Sequence, residues 1–301
     1  MGKFGFVKLN RNNRLKTSDI YGFNFSPDGM KLYLPWYDSN GTYTNNDVTS
    51  VDNLDDDKYF IDQYNLTKAF DLSTLKTKPD SVKVLDIKSL NVKTTWYSGQ
   101  SVIESVTFSN YQRNMYMVNG KEDFIHNYKL NNREKVSSAQ RIENTNIKWQ
   151  ESRARDIYVK EDGTKLYLIG KECNTVFEYD RNPQTGALKL RAKKEVKSNG
   201  RNHESLTFNP TGTMMFVTDG RNRRIAAYTL STAFDVKTSS KGAIATYTVS
   251  SDITSYLEDI RFNNDGRKLF VLNSYGGIND AGIYEYTLST PFDLTTVSYN
   301  V

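Results

Sequence analysis

The sequence predicts an all-β protein, a single β-propeller of about five four-stranded blades. A segment of alternating apolar and polar residues that leads into a tight turn occurs five times along the 301 residues. A near-continuous apolar segment and then an aromatic-rich segment follow each copy, and no helical periodicity separates the copies. Four strands per repeat without an intervening helix are typical of propeller blades.

The first strand of each repeat has apolar residues at every second position, which is typical of a half-buried strand. In four of the five copies an Asp-Gly or Thr-Gly pair follows, and its glycine supplies the positive φ that a tight hairpin needs. These first strands are expected to line the central channel. They begin at Tyr21, Glu104, Arg155, Glu204 and Glu258.

The second and third strands are predicted from their apolar and aromatic residues. The second strands are apolar at nearly every position, which predicts burial on both faces between stacked sheets. A Phe-Asp pair follows the third strand in three copies, and we expect Phe70, Phe234 and Phe292 to hold a connecting loop against the blade. The second strands lie at 31–34, 115–118, 165–169, 214–217 and 268–272, and the third at 60–64, 124–128, 176–179, 225–228 and 283–286.

The spacing of the copies sets the number of blades. Successive equivalent positions from Phe108 to Phe262 are 51, 49 and 54 residues apart, each about one blade. The first interval, from Phe25 to Phe108, is 83 residues, and we assign the excess to an insertion at about 37–58. No sixth blade is invoked.

The two ends of the chain are predicted to meet. The last copy stops where its fourth strand should begin, whereas residues 4–9 form a strand-like segment without a partner in the first copy. We therefore expect 4–9 to supply the outer strand of the last blade, which closes the ring and leaves no open face between blades. On this interpretation residues 1–301 are one complete domain.

The composition argues against several classes of protein. The 40 basic and 35 acidic residues are scattered, so the net charge of +5 indicates a mixed, solvated surface and no nucleic-acid partner. The single cysteine excludes an intramolecular disulfide, and no Cys/His cluster has the spacing of a zinc site. Without a signal peptide or an apolar run of 18 residues, we expect cytoplasmic synthesis and no membrane span.

The first positions of the inner strands are the candidate site at the channel mouth. Glu104, Arg155, Glu204 and Glu258 would ring the mouth, where they could bind a cation or a polar ligand. The alternative is structural, since such carboxylates also accept backbone N–H bonds or pair with nearby arginines. His203 adjoins this ring and would suit a general base, but the sequence supplies no other part of such a site.

Two further segments are candidate contact surfaces. Trp36, Tyr37 and Tyr43 lie in or beside the insertion, and we expect them to contact a partner. The insertion is also rich in aspartate, so calcium is a possible ligand, although the spacing is not that of an EF-hand. A solvated acidic loop is the alternative.

A basic turn in the fourth copy is the other contact candidate. Arg221, Arg223 and Arg224 could bind an anionic group, although a basic turn can serve solubility alone. No phosphate-binding glycine loop, paired-carboxylate motif or serine elbow occurs, so the sequence assigns no catalytic residue.

Tyr286–Thr295 reads Tyr-Thr-Leu-Ser-Thr-Pro-Phe-Asp-Leu-Thr. The strand repeats alone resemble those of microbial surface-layer proteins and lactonases, and together with this element they resemble bacteriophage tail-associated and bacterial surface propellers. The resemblance implies a non-enzymatic virion component without a cofactor, which binds a protein in a symmetric assembly or a polar host-surface component. One alternative is a lactonase- or glycosidase-like enzyme with a metal or carboxylate site at the channel mouth; another is a lectin.

Overall fold

The five predicted repeats fold into five antiparallel sheets arranged as a propeller around a central channel. The chain is described here from a computed structural model. The described residues are 6–8, 20–38, 58–76, 79–86, 103–109, 113–120, 124–133, 135–182, 185–196, 202–249, 253, 256–273 and 282–299.

Blades 1 to 4 each contain four strands in chain order, from the channel outward. Blade 1 has β2 (Asn24–Phe25), β3 (Lys31–Asp38), β4 (Lys58–Asn65) and β5 (Ser81–Asp86); blade 2 has β6 (Ile103–Ser109), β7 (Asn114–Asn119), β8 (Phe124–Leu130) and β9 (Ala139–Asn146). Blade 3 has β10 (Ala154–Val159), β11 (Lys165–Gly170), β12 (Thr175–Arg181) and β13 (Leu188–Glu195); blade 4 has β14 (Leu206–Phe208), β15 (Met214–Asp219), β16 (Arg224–Thr229) and β17 (Ala245–Thr248).

Blade 5 draws its outer edge from both ends of the described chain. Its first three strands are β18 (Leu257–Phe262), β19 (Lys268–Asn273) and β20 (Gly282–Leu288). β1 (Phe6–Lys8) pairs with the first half of β20, as predicted, and β21 (Val297–Tyr299) pairs with the second half. The predicted N-terminal closure is confirmed, and the C-terminal segment adds a contribution that the sequence analysis missed. Together the two short strands cover an edge that would otherwise be exposed.

The hydrophobic core consists of five clusters, one between each pair of neighbouring blades. The second strands pack on both faces, as predicted: Tyr167 lies in the cluster toward blade 4, and Leu168 in the cluster toward blade 2. Phe25 packs against Phe270, so blades 1 and 5 are in contact and the ring is closed. Each fully buried side chain of this size contributes about 1.5–3 kcal/mol.

The insertion in blade 1 is shorter than predicted. β3 and β4 remain paired as far as Asp38 and Lys58, so the extra residues are 39–57, which lie outside the described residues. Residues 37, 38 and 58 belong to regular strands, because the β3–β4 hairpin is longer than the corresponding hairpins of the other blades. Trp36 lies within this ladder and stacks on Phe60 at 4.3 Å between ring centroids.

The phenylalanines of the Phe-Asp pairs close the hairpins of three blades. The backbone of Phe234 adopts φ 59°, and its N–H donates to Gly212 O at 2.9 Å. The ring covers Gly212 so closely that a Cβ there would lie 2.1 Å from it. Phe70 and Phe292 make the same contact in blades 1 and 5. The loop-holding role predicted for these residues is confirmed.

The segment after each Phe-Asp pair forms a short 3-10 turn that docks on the preceding blade. In blade 4, Asp235 accepts a hydrogen bond from Lys237 N, and Val236 N donates to Glu178 of blade 3 at 2.9 Å. The 3-10 turns within the described ranges are Leu72–Thr74, Val136–Ser138, Val236–Thr238 and Leu294–Thr296.

Among the described residues, no helix is long and apolar enough to cross a membrane.

The contact between Phe234 and Gly212 can be tested with a double-mutant cycle. Gly212→Ala should lower the free energy of unfolding by about 2–4 kcal/mol, because the methyl group meets the ring and alanine resists the positive φ. In a Phe234→Ala background the same change should cost only the backbone strain, about 1–2 kcal/mol. Urea unfolding measures both costs.

Gly242→Ala is the control for this cycle. A Cβ at Gly242 meets nothing within 4 Å, so the change should be close to neutral. Equal costs of Gly212→Ala in the two backgrounds would contradict the proposed ring contact.

Candidate functional site

β-bulges aim two consecutive side chains into the channel at the start of the inner strands. The strand pairing shifts register between Ile103 and Ser105, so that Glu104 is the extra residue. Equivalent shifts make Arg155 and Glu258 the extra residues in blades 3 and 5. A bulge re-aims the side chain of the extra residue. The first and second positions of the repeat can therefore both face the channel, where plain alternation would turn one of them away.

The first positions form a buried charged cluster, which we call the carboxylate mouth. Arg155 makes a charge-assisted hydrogen bond to Glu104 Oε1, and its Nε lies 3.3 Å from Glu204 Oε2. Lys171 Nζ lies 2.7 Å from Glu204 Oε1, to which the Tyr256 hydroxyl donates at 2.6 Å. Glu104 and Glu204 are 5% and 3% exposed. The cluster therefore combines buried carboxylates with cations that are only partly exposed.

Glu258 completes the carboxylate mouth and differs from the other carboxylates in its protonation. Burial raises its pKa well above the ordinary range, and the charges of Glu204 and Glu104 raise it further, against the opposing effect of Lys171 and Arg155. Burial also raises the pKa of Glu104, although Arg155 opposes that shift. Glu258 is thus the carboxyl group of this cluster that is best suited to retain a proton.

One oxygen of the carboxylate mouth has no hydrogen bond. Glu204 Oε2 is buried and makes none among the described residues, although Arg155 Nε is 3.3 Å away, and that Nε makes none either. Buried polar atoms are rarely left in this state without a functional or solvent partner. Glu204 Oε2 therefore keeps acceptor capacity within the carboxylate mouth.

The second positions form a separate layer beneath the carboxylate mouth, which we call the central network. Arg261 donates to both carboxylate oxygens of Asp156 at 3.1 Å each, and to Asp259 Oδ1 at 2.6 Å. The Ser205 hydroxyl lies 3.0 Å from Asp156 and 2.6 Å from Asp259. Arg261 is at the fourth position of its repeat, counted from Glu258, and reaches back into this layer.

The central network connects all five blades. Ser105 of blade 2 donates to Asp156 of blade 3 at 2.6 Å, and Asp259 of blade 5 accepts from Phe23 N of blade 1 at 2.9 Å. Burial raises the pKa of Asp259 to about 7; Arg261 opposes this shift, and the charge of Asp156 adds to it. Charged and polar groups therefore fill the middle of the channel.

The structure brings together four of the five predicted channel-mouth residues: Glu104, Arg155, Glu204 and Glu258. His203 is 2% exposed, and its Nδ1 and Nε2 lie 2.8 and 3.3 Å from the carbonyl oxygens of Thr218 and Val196. The histidine thus contacts the backbone on both sides.

Trp36 is the one predicted contact residue of blade 1 whose side chain is among the described residues. Trp36 is 2% exposed, so its ring offers no contact surface. The side chain of Tyr37 and all of Tyr43 lie outside the described residues. Partner binding by this segment stays a prediction.

The basic turn contains three arginines in different settings. Arg221 is exposed, whereas Arg223 donates to Ile253 O at 2.7 Å and Arg224 lies 4.0 Å from Asp219. Two of the three therefore serve the local structure.

The sequence analysis missed several residues of the two layers. Asp259 and Ser205 immediately follow first-position glutamates, so the second column of the repeat, which is Ser, Asp, Ser and Asp in blades 2 to 5, was the available signal. Lys171 and Tyr256 lie outside the repeated strand pattern, and nothing in the sequence connects them to Glu204.

Among the described residues, no three His, Cys, Asp or Glu side chains are grouped to hold a metal ion, and calcium stays a prediction.

Comparisons with known proteins identify the kind of propeller that this chain resembles. The family model described as "Lactonase, 7-bladed beta-propeller" matches residues 105–239, which contain Arg155, Lys171 and Glu204. The chain is similar to lactonase propellers. It differs from that family in blade number, because the described residues form five blades. No curated protein matches the sequence.

Solved structures share the fold at low sequence identity. A protein from Lactobacillus plantarum aligns with a TM-score of 0.52 and 13% identity over 93% of this chain and 83% of its own. A putative 6-phosphogluconolactonase from Bacteroides fragilis aligns with 0.51 and 12% over 93% and 82%. The periplasmic gluconolactonase of Pseudomonas aeruginosa aligns with 0.52 and 13% over 93% and 83%.

The prediction of a phage tail component is wrong. The family model that matches blades 2 to 4 is that of lactonases, which favours the enzyme alternative. The element that carried the phage resemblance, Tyr286–Thr295, contains Phe292 and Asp293, which hold a hairpin and cap a 3-10 turn. The motif therefore indicates how a loop packs against a propeller blade.

The raised pKa of Asp259 predicts a pH-dependent stability. Its carboxyl binds a proton in the folded state up to about pH 7, whereas the unfolded chain releases it near pH 4. The free energy of unfolding should therefore fall as pH rises between these values, by the order of 1–4 kcal/mol from this group. Urea unfolding of the wild type and Asp259→Asn at pH 4, 5.5 and 7 measures the difference.

Asp259→Asn should be less stable at every pH, because its amide has a single acceptor oxygen and cannot accept from both Phe23 N and Arg261. The pH-dependent part should nevertheless shrink in the variant. An unchanged slope between pH 4 and 7 would contradict the assignment, and Asp265→Asn on an exposed turn is the matched control.

Proposed function

We propose that the protein hydrolyses sugar-derived lactones at the carboxylate mouth. The observation that supports this most directly is the buried grouping of three carboxyl side chains with Arg155 and Lys171, in which Glu258 has a strongly raised pKa. When the surroundings of two neighbouring carboxyl groups move their pKa values apart, one group can act as the acid and the other as the base.

The two cations suit the electrophilic part of the reaction. Lactone hydrolysis places negative charge on the carbonyl oxygen when water adds to the carbonyl carbon. The side chains of Arg155 and Lys171 are mostly buried, and positive charge in such surroundings stabilises such an oxygen better than in bulk water. Glu104 and Glu204 hold these cations in place before the substrate binds.

The carboxyl groups suit the proton transfers. Water forms a bond from its oxygen to the carbonyl carbon and gives a proton to Glu204, whose Oε2 has no hydrogen bond among the described residues. The bond between the carbonyl carbon and the ring oxygen then breaks, and Glu258 donates its proton to that oxygen. The products are the open hydroxy acid, a protonated Glu204 and a deprotonated Glu258. The reaction requires no oxidant or reductant.

The comparisons support the substrate class. The family model is that of lactonases and covers Arg155, Lys171 and Glu204. Two of the aligned structures carry names that refer to gluconolactone and 6-phosphogluconolactone. We therefore take glucono-δ-lactone and its 6-phosphate as the first substrates to test.

The assay is proton release in a pH-stat, with buffer alone subtracted because lactones also hydrolyse spontaneously. The wild type should accelerate at least one of the two lactones in proportion to protein concentration. Glu258→Gln should lower kcat by about 10²–10⁴-fold, since it removes a general acid. The wild-type rate should fall as pH rises through the Glu258 pKa, because the donated proton is then absent.

Glu172→Gln is the matched control, because Glu172 is an exposed carboxylate that pairs with Arg153. It should retain the wild-type rate. A folded wild-type protein that accelerates neither lactone would overturn the proposal, as would a Glu258→Gln variant with an unchanged rate and pH profile.

A further inference from the structure

The channel opens into a second cavity at the end opposite the carboxylate mouth. This end, which we call the turn mouth, is where the inner strands lead into their hairpin turns. The cavity has a volume of about 860 Å³, within the range of small-molecule sites. Its polar lining includes one inner-strand residue from each blade: Asn24, Thr107, Tyr158, Thr207 and Arg261.

Two hydroxyl groups of the inner strands line this cavity. Thr207 is only 5% exposed and Tyr158 is partly buried, and neither hydroxyl makes a hydrogen bond among the described residues. Burial raises the pKa of Tyr158, so its hydroxyl is a neutral donor and acceptor. Unpaired hydroxyls in a cavity lining are costly unless water or a ligand satisfies them.

Arg261, Lys160 and Asp162 are three of the four charged side chains in the cavity lining, and all three are paired. The guanidinium of Arg261 is held by Asp156 and Asp259 of the central network, so it offers little net charge to a ligand. At the rim, Lys160 lies 2.5 Å from Asp162. The lining therefore does not favour an anion such as a phosphate or a carboxylate, and it favours a neutral ligand.

Aromatic rings form the apolar part of the lining. Phe208 packs at 5.0 Å from Tyr158 and at 5.6 Å from Phe234, and all three rings line the cavity. Phe262 and Phe292 extend this surface and are only partly buried. A ligand that fits both parts must present hydroxyl groups at its edge and C–H groups on a face.

We propose that the turn mouth is a binding site for a neutral sugar or cyclic polyol of one or two rings. Such a ring meets the Tyr158 and Thr207 hydroxyls with its own hydroxyls and the aromatic wall with its C–H face. The central network separates this site from the carboxylate mouth. The proposal does not depend on lactone hydrolysis, and either can fail without the other.

The test uses glucose and maltose as probes, each titrated to about 50 mM by saturation-transfer NMR and calorimetry. At least one should bind to the wild type, and gluconate and glucosamine, the charged analogues of glucose, should bind at least ten-fold more weakly. The double variant Tyr158→Phe/Thr207→Val should weaken sugar binding at least ten-fold, while its thermal unfolding midpoint stays within a few degrees.

Glu258→Gln at the carboxylate mouth is the control and should bind the sugar as the wild type does. Each single variant, Tyr158→Phe and Thr207→Val, provides a separate reading if the double variant is unstable. No binding of either neutral sugar, equal binding of the charged analogues, or unchanged affinity in the folded hydroxyl variants would overturn the proposal.

Discussion

The rest of this structure depends on one buried interaction, the pairing of Arg261 with Asp156 and Asp259 in the middle of the channel. An unpaired guanidinium at that depth would cost several kcal/mol, and the two acidic side chains beside Arg261 prevent this. Ser205 lies between the two carboxylates, and Asp259 also accepts from Phe23 N. The network thus joins the first and last blades to those between them.

The same network gives the two ends of the channel different chemistry. On one side, bulges bring Glu104, Glu258 and Arg155 into a largely buried charged cluster, a setting that favours proton transfer and oxyanion stabilisation. On the other side, the charge of Arg261 is already neutralised, and the lining that remains consists of hydroxyls and aromatic rings. A single fold therefore presents one face suited to reactive groups and one suited to neutral ligands.

Much of the fold was predictable because the propeller repeats one local pattern. Period-two alternation and a turn glycine specify each hairpin, and the spacing of about 50 residues specifies the blades. The functional prediction failed where a short motif was taken as evidence of function. Phe292 occurs there because its ring covers Gly266, a packing requirement that any propeller with this loop can share.

The sequence by itself determined the strands, the five blades, the closing N-terminal strand and the first ring of channel residues, since all of these follow from periodicity along one chain. Only the tertiary structure decided which charges meet. Lys171 and Tyr256 reach Glu204 from different blades, and the bulge at Glu104 turns a residue that simple alternation would direct elsewhere. The protonation of Glu258 likewise depends on its burial and on the carboxylates of blades 2 and 4. These depend on distances in the folded structure, which a pattern along the sequence does not encode.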